Sequence, residues 1–159
     1  MTEDKEGLRQ LVVFSLSSEA YGVPITQVQE IIRLPDITRM PGTPDFIEGI
    51  INLRGRIIPV IDMRRRFSLE KHERNDKNRI VVTDIGGQII GLIVDGVSEV
   101  LSVSGGQVGP IPPSMVSIGS EYLSGVVKTG KSLVILLDLV KVLNDLEKTV
   151  LDGMVKSKK

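Results

Sequence analysis

One eight-residue string in the chain spells a phosphate-binding loop. Gly125-Val126-Val127-Lys128-Thr129-Gly130-Lys131-Ser132 fits G-x-x-x-x-G-K-[ST] letter for letter. That pattern works when a strand feeds a loop of backbone N–H groups into a helix whose N-terminus faces the phosphates. Here Ser132 leads into Leu133-Val134-Ile135-Leu136-Leu137, an apolar run with strand character, and Asp138 follows at once. With no helix after the loop, the string reads as a β-hairpin turn, and nucleotide binding stays a remote alternative. The single histidine, His72, sits between Lys71 and Glu73 in a charged loop, where a solvated imidazole is expected. One histidine and no cysteine exclude thiol chemistry, Cys-ligated zinc and any site built from two imidazoles. No serine lies in a Gly-x-Ser-x-Gly elbow. Asp62 and Asp138 each follow a strand and read as helix N-caps rather than as an acid–base pair. The expectation is a protein without catalytic residues, metal or cofactor.

Two further constellations concern contacts between macromolecules. Arg64-Arg65-Arg66, with Arg54 and Arg56 before it and Lys71, Arg74, Lys77 and Arg79 after it, makes the middle of the chain basic. It is either an anion or partner surface or a solvated helix face. Nucleic-acid binding is not expected. Lysine plus arginine and aspartate plus glutamate each number 20, and the five aromatics (Phe14, Tyr21, Phe46, Phe67, Tyr122) form no stacking run. The second constellation is Asn52-Leu53-Arg54-Gly55, a turn between two strands in which Asn and Gly tolerate positive φ. An outward Leu53 beside Arg54 would be a protein-binding hot spot. The alternative is a leucine folded back into the core and an arginine paired with a nearby acid.

The elements that position these residues are mostly strands. Leu11–Leu16, Gly49–Leu53, Arg56–Ile61, Ile80–Ile85, Ile89–Val94, Val97–Val103, Gly125–Val127 and Leu133–Leu137 are short β-branched runs. Ser17-Ser18 and Gly86-Gly87 read as hairpin turns, and Pro59 predicts an edge strand or a bulge. Ile25, Val28, Ile31 and Ile32 are spaced for one face of a short helix, and Asp138–Leu146 for a longer one. Val108–Ser117, with three prolines, reads as a loop. A chain of 159 residues buries enough surface to need no disulfide or metal. Met1–Glu6 lacks the order of a secretory signal, and no apolar stretch approaches the ~18 residues of a membrane span. A cytoplasmic protein is expected, with 1–9 and 149–159 as flexible ends.

The sequence also resembles itself. Moved forward by 69 positions, Leu11–Ile32 lies on Ile80–Leu101, so that Gly22 meets Gly91 and Glu30 meets Glu99. Moved forward by 76, Phe46–Phe67 lies on Tyr122–Leu143, so that Gly49 meets Gly125 and Asp62 meets Asp138. The difference is an insertion of seven residues between Leu101 and Tyr122. Two copies of a small β unit, about 10–67 and about 79–146, are expected.

The run Phe46-Ile47-Glu48-Gly49-Ile50-Ile51-Asn52-Leu53-Arg54-Gly55-Arg56-Ile57-Ile58-Pro59-Val60-Ile61-Asp62 resembles the signature of CheW-type chemotaxis coupling proteins. Tyr21-Gly22-Val23, Val28-Gln29-Glu30-Ile31, Val94-Asp95-Gly96-Val97 and Glu121-Tyr122-Leu123 agree with it, and the domain spans about 10–148. The resemblance implies a mainly β fold of two SH3-like or OB-like five-stranded barrels with strands exchanged between them, short helices and a C-terminal helix. It implies a non-enzymatic adaptor that couples the cytoplasmic tips of methyl-accepting chemotaxis receptors to the regulatory domain of the histidine kinase CheA. Such an adaptor would be recruited to membrane receptor arrays without inserting into the bilayer. The same domain occurs within CheA and in CheV-type proteins beside a receiver domain. At this length a stand-alone coupling protein is expected, with a CheV-like or regulatory-domain-like adaptor as the alternative. Carried over by position, receptor binding falls on Val12, Ile25, Val28, Glu30, Ile31, Val97 and Val100. Kinase binding falls on Asn52, Leu53, Arg54, Gly55 and Arg56. The apolar residues of the first set could equally be core.

Overall fold

A computed structural model describes residues 8–43, 46–67, 69–70, 73–113, 122–130 and 132–142. In the first half, strands β1 (Leu8–Leu16) and β2 (Glu19–Pro24) form a hairpin. A 3-10 turn, Ile25–Gln27, leads to β3 (Val28–Arg33). Strands β4 (Ile47–Leu53) and β5 (Arg56–Asp62) form a second hairpin, and helix α1 (Met63–Arg66) follows. The second half repeats the order of strands and helix, with its 3-10 turn after the third strand instead of before it and one short extra strand. It has β6 (Arg79–Ile85), β7 (Gln88–Val94), β8 (Gly96–Ser104), a 3-10 turn at Gly105–Gln107 and the short β9 (Val108–Gly109). Then come β10 (Leu123–Thr129), β11 (Ser132–Leu137) and helix α2 (Leu139–Val142).

The halves trade hairpins. One sheet runs β8-β1-β2-β11-β10-β9 and the other β3-β6-β7-β5-β4. The first hairpin thus lies in a sheet whose other strands come from the second half, and the hairpin β6–β7 lies among strands of the first. The registers obey the two sequence offsets. Val12 faces Val100 as Val81 faces Ile31, and Ile50 faces Pro59 as Val126 faces Ile135. The parallel junctions agree as well, with Leu136 beside Gly22 and Val60 beside Gly91. The N–H of Asp62 donates to the Phe46 carbonyl, and that of Asp138 to the Tyr122 carbonyl, both at 2.8 Å. The internal resemblance is therefore a duplication expressed in backbone pairing.

Strands buried on both faces carry this architecture. Along β1, Leu11 and Val13 enter one apolar cluster with Val103, Val127, Val134 and Leu136. Val12, Phe14 and Leu16 point the other way, into a larger cluster that draws on both sheets. Strand β6 does the same, with Ile80 and Val82 in a third cluster and Val81 and Ile85 in the shared one. Period-2 alternation puts neighbouring residues on opposite faces, so an unbroken apolar run supplies two cores at once.

Several expectations change. Val28–Arg33 is a strand, and only Ile25–Gln27 is helical, as a single 3-10 turn. The spacing of Ile25, Val28 and Ile31 is met here by a β-bulge at Gln29, where the register against β6 shifts. Strand β5 is interior, so Pro59 marks no edge. The parallel ladder to β7 begins one residue later, at Val60, and a bulge lies in the facing strand between Ile47 and Gly49. Strand β2 joins the set, its turn formed at Ser17-Ser18 as expected. Neither sheet closes into a barrel through a continuous ladder. Instead β8 runs on through Gly105–Gln107 into β9, which pairs with β10 at the far edge. In the other sheet Thr38, just past β3, bridges to Ile50 of β4. Helix α2 covers the start of the expected Asp138–Leu146 helix. The rest of that helix, His72, residues 1–7, the end 149–159 and residues 114–117 of the proline loop lie outside the described residues. Leu8 and Arg9, expected in the flexible end 1–9, belong to β1 and pair with Ser104 and Val103.

Candidate functional site

The turn between β4 and β5 consists of two residues, Arg54 at φ +53° and Gly55 at φ +87°. Two positive φ values define the type I′ turn, whose twist matches the flanking strands. Asn52 does not itself take positive φ. Its side-chain oxygen accepts the Gly55 N–H at 2.8 Å and so fixes the turn. Leu53 folds back, half-buried, against the cluster of Ile51, Ile58 and Val60. Asn52, Arg54, Gly55 and Arg56 are exposed. The Arg54 guanidinium donates to the Glu30 carboxylate on β3. Strands β3 and β4 are opposite edges of one sheet, so this pair, like the Thr38–Ile50 bridge, records a sheet curled until its edges meet.

The apolar candidates flank the seam between the two sheets. Val12 is buried, and so is its counterpart Val81; both belong to the shared core and offer no surface. Their ladder partners Val100 and Ile31 stand on edge strands and are 53% and 40% exposed. Residues directly opposite in a ladder share a face. Val100 and Ile31 therefore extend the seam face outward, at positions related by the duplication. Ile25, Val28 and Val97 are half-buried against the shared core. The fold thus sets Ile25, Val28 and Val97 against the shared core and leaves Ile31 and Val100 as the accessible apolar side chains of the set.

The basic run resolves into three separate structural roles. Arg64 makes a bidentate pair with Asp95, at 2.8 and 2.6 Å, and donates to the Glu70 carbonyl at 2.7 Å. The hydrogen bond to Asp95 raises the Arg64 pKa above its already high value, so this cation does not titrate near neutrality. Asp95 also accepts the Ser17 N–H at 2.7 Å, which ties the β1–β2 turn to the start of β8. Arg65 lies 3.0 Å from the buried Glu48, which Arg74 approaches at 3.5 Å and Arg39 at 3.6 Å. Asp62 caps α1, accepting the Arg64 N–H at 3.0 Å, and takes Arg74 at 3.2 Å. These groups line a polar cavity of about 330 Å³. Arg66 sits over both the Phe46 and Tyr122 rings, 5.2 and 4.4 Å from their centres. Phe14, Tyr21, Phe67 and Tyr122 follow one another with centres 5.8–6.1 Å apart, the first three stacked and Tyr122 edge-on to Phe67. All five aromatics, scattered in sequence, thus gather at the seam, where the rings of this series are buried. Only the duplication hinted at this, by aligning Phe46 with Tyr122.

The phosphate-loop string is a hairpin. Strand β10 runs to Thr129, which pairs with Ser132 of β11, and no helix follows the turn. Its Gly130 has φ +61° and occupies the position equivalent to Arg54. Lys131 lies outside the described residues. Among the described residues no group of His, Cys, Asp and Glu is placed to hold a metal, and no helix is long and apolar enough to cross a membrane.

Residues 10–147 match the family described as the CheW-like domain. The chain is similar to chemotaxis protein CheW of Klebsiella aerogenes, with 38% identity over 149 residues, 94% of this chain and 90% of that protein. It is similar to chemotaxis protein CheW of Treponema pallidum, with 37% identity over 142 residues, 87% and 84% of the two chains. Its structure is similar to the crystal structure of the scaffolding protein TtCheW from Thermoanaerobacter tengcongensis. The TM-score is 0.79 at 41% identity, and the match covers 87% of this chain and 89% of that one.

Proposed function

The chain belongs to the CheW-like domain family, and from that premise we propose that this chemotaxis scaffold couples receptor tips to the kinase CheA on the cytoplasmic side of the membrane. It performs no catalysis. Its work is to hold two partners in one geometry.

The observation that carries this reading is the contact between Arg54 and Glu30. Glu30, by position one of the receptor candidates, stands on β3 next to Ile31 in sequence and on the opposite face of the sheet. Arg54 is the tip of the turn assigned to the kinase. The ion pair ties the turn to the strand whose other face carries Ile31, so a partner at one meets groups held in place by the other. A helical receptor hairpin would lay apolar residues on Ile31 and Val100, in the manner of a helix in a groove. The kinase regulatory domain would take the exposed tip at Asn52, Arg54, Gly55 and Arg56.

The test is a reconstitution with a soluble receptor signalling fragment and the CheA regulatory domain. Binding to both, with receptor-dependent control of kinase autophosphorylation only when the chain is present, is the expected result. Failure to bind either partner refutes the reading.

A further inference from the structure

Three cations, Arg33, Lys77 and Arg79, stay apart from the ion-pair network around Glu48, Asp62 and Asp95. Arg33 on β3 and Arg79 on β6 stand directly opposite each other in the ladder. Like charges in that relation repel. One nitrogen of Arg79, Nη1, donates to the Asp76 and Asn78 carbonyls, at 2.7 and 2.8 Å. Lys77 uses its backbone N–H alone, on Asn75. Among the described residues no carboxylate lies within salt-bridge distance of Arg33, Lys77 or Arg79.

These cations are at the seam. Arg33 and Arg79 lie two residues along their strands from Ile31 and Val81, on the same face. Lys77 and Arg79 line a shallow cavity of about 250 Å³ with Ser15, Gly96, Val97 and Ser98. Both candidate receptor residues at this end, Ile31 and Val97, therefore have cations beside them. The duplication supplies an internal comparison. At the offset of 69, Arg79 corresponds to Gln10, Lys77 to Leu8 and Ser15 to Asp84. The corresponding positions carry no cation and one acid. The charge is thus not a requirement of the fold, since the other copy of the unit folds without it.

We propose that Arg33, Lys77 and Arg79 form a cationic rim that receives acidic side chains of an amphipathic receptor helix whose apolar residues rest on Ile31 and Val97. The inference rests on the coupling function above and deepens it. Apolar and cationic groups alternate on one face, which suits a helix bearing both kinds of residue on one side. The one-sidedness of the charge gives the pseudo-symmetric seam a direction, so that a helix and its reverse are distinguished. Exposed complementary charges act mainly on association and specificity, and salt screens them.

The experiment titrates the full chain with a soluble receptor signalling fragment at about 50 mM and about 500 mM salt. It uses the Lys77→Gln/Arg79→Gln pair, and Lys77→Gln alone as a variant that removes no side-chain contact. At low salt the double variant is expected to bind about tenfold more weakly and the single variant about threefold more weakly, with both differences falling below about twofold at high salt. The kinase regulatory domain should bind all three proteins alike. Receptor binding unchanged at low salt overturns the inference and leaves the coupling function standing. Equal losses at both salts, or wild-type binding to anionic lipid vesicles in preference to the fragment, also overturn it. A wild-type chain that binds neither fragment refutes both.

Discussion

Replacing Arg54 by glycine separates what the turn needs from what a partner needs. Arg54 holds φ +53°, a region that disfavours a side chain by about 1–2 kcal/mol. The equivalent turn of the second half places Gly130 there at φ +61°, free of that cost. Arg54→Gly relieves the strain. Against it stand about 0.5–1 kcal/mol from the greater freedom of the unfolded chain and about 0.2–1 kcal/mol from the lost pair with Glu30. Arg54 is 68% exposed, so the ion pair belongs at the weak end of its range. The terms cancel to within about 1 kcal/mol, and denaturant unfolding should show a midpoint close to wild type. An arginine at the centre of a protein interface commonly contributes 2 kcal/mol or more, which is a ~30-fold change in affinity. Calorimetric titration with the kinase regulatory domain should therefore show a large loss on a fully folded protein. A drop in stability above about 2 kcal/mol, or unchanged kinase binding, refutes the reasoning and makes Arg54 a structural residue.

Four other outcomes follow from the same structure. Ile31→Ser and Val100→Ser should each weaken receptor binding while moving thermal unfolding by only a few degrees, whereas Val12→Ser should unfold the protein readily, because only Val12 is buried. Gly49→Ala should cost about 3 kcal/mol or more by chemical unfolding, since its Cβ would overlap the Thr38 carbonyl. Gly125→Ala should cost about 1 kcal/mol, because the atoms its Cβ would meet are 3.0 and 3.1 Å away. Burial, with Glu19 adding to it, holds the Tyr21 phenol above its ordinary value near 10. The folded state then keeps this proton better than the unfolded one, so its contribution is complete below about pH 10 and lost as the pH climbs beyond it. Tyr21→Phe should flatten the alkaline limb of the stability–pH curve, and an unchanged limb refutes the assignment.

Much of the candidate surface is written locally. Asn52-Leu53-Arg54-Gly55 specifies a two-residue turn through the conformational freedom of Gly55 and the hydrogen-bonding reach of Asn52, both of which act within four residues. The strands are legible for a similar reason, since β-branched runs bounded by Gly, Ser and Asp leave few other conformations. The segment Ile25–Ile32 was less legible, because the apolar spacing of a short helix coincides with that of a strand carrying a bulge. What decided it was the ladder to β6, a contact with residues 50 positions away.

The sequence by itself determined the absence of cysteine chemistry and of any site built from two imidazoles, the internal repeat of the β unit, and the tip. Those depend on residue type and near neighbours. Tertiary structure alone decided which sheet each hairpin joins, and so which apolar residues are core and which are surface. Val12 and Val100 look alike as letters. They differ because one ladder partner lies inside the sheet and the other at its edge. Folding likewise sorted the basic middle, placing Arg64, Arg65 and Arg74 against Glu48, Asp62 and Asp95 and leaving Lys77 and Arg79 at the seam beside Arg33. Charge is additive along a chain, but its neutralisation depends on distance in space, which only the packing of the two sheets sets.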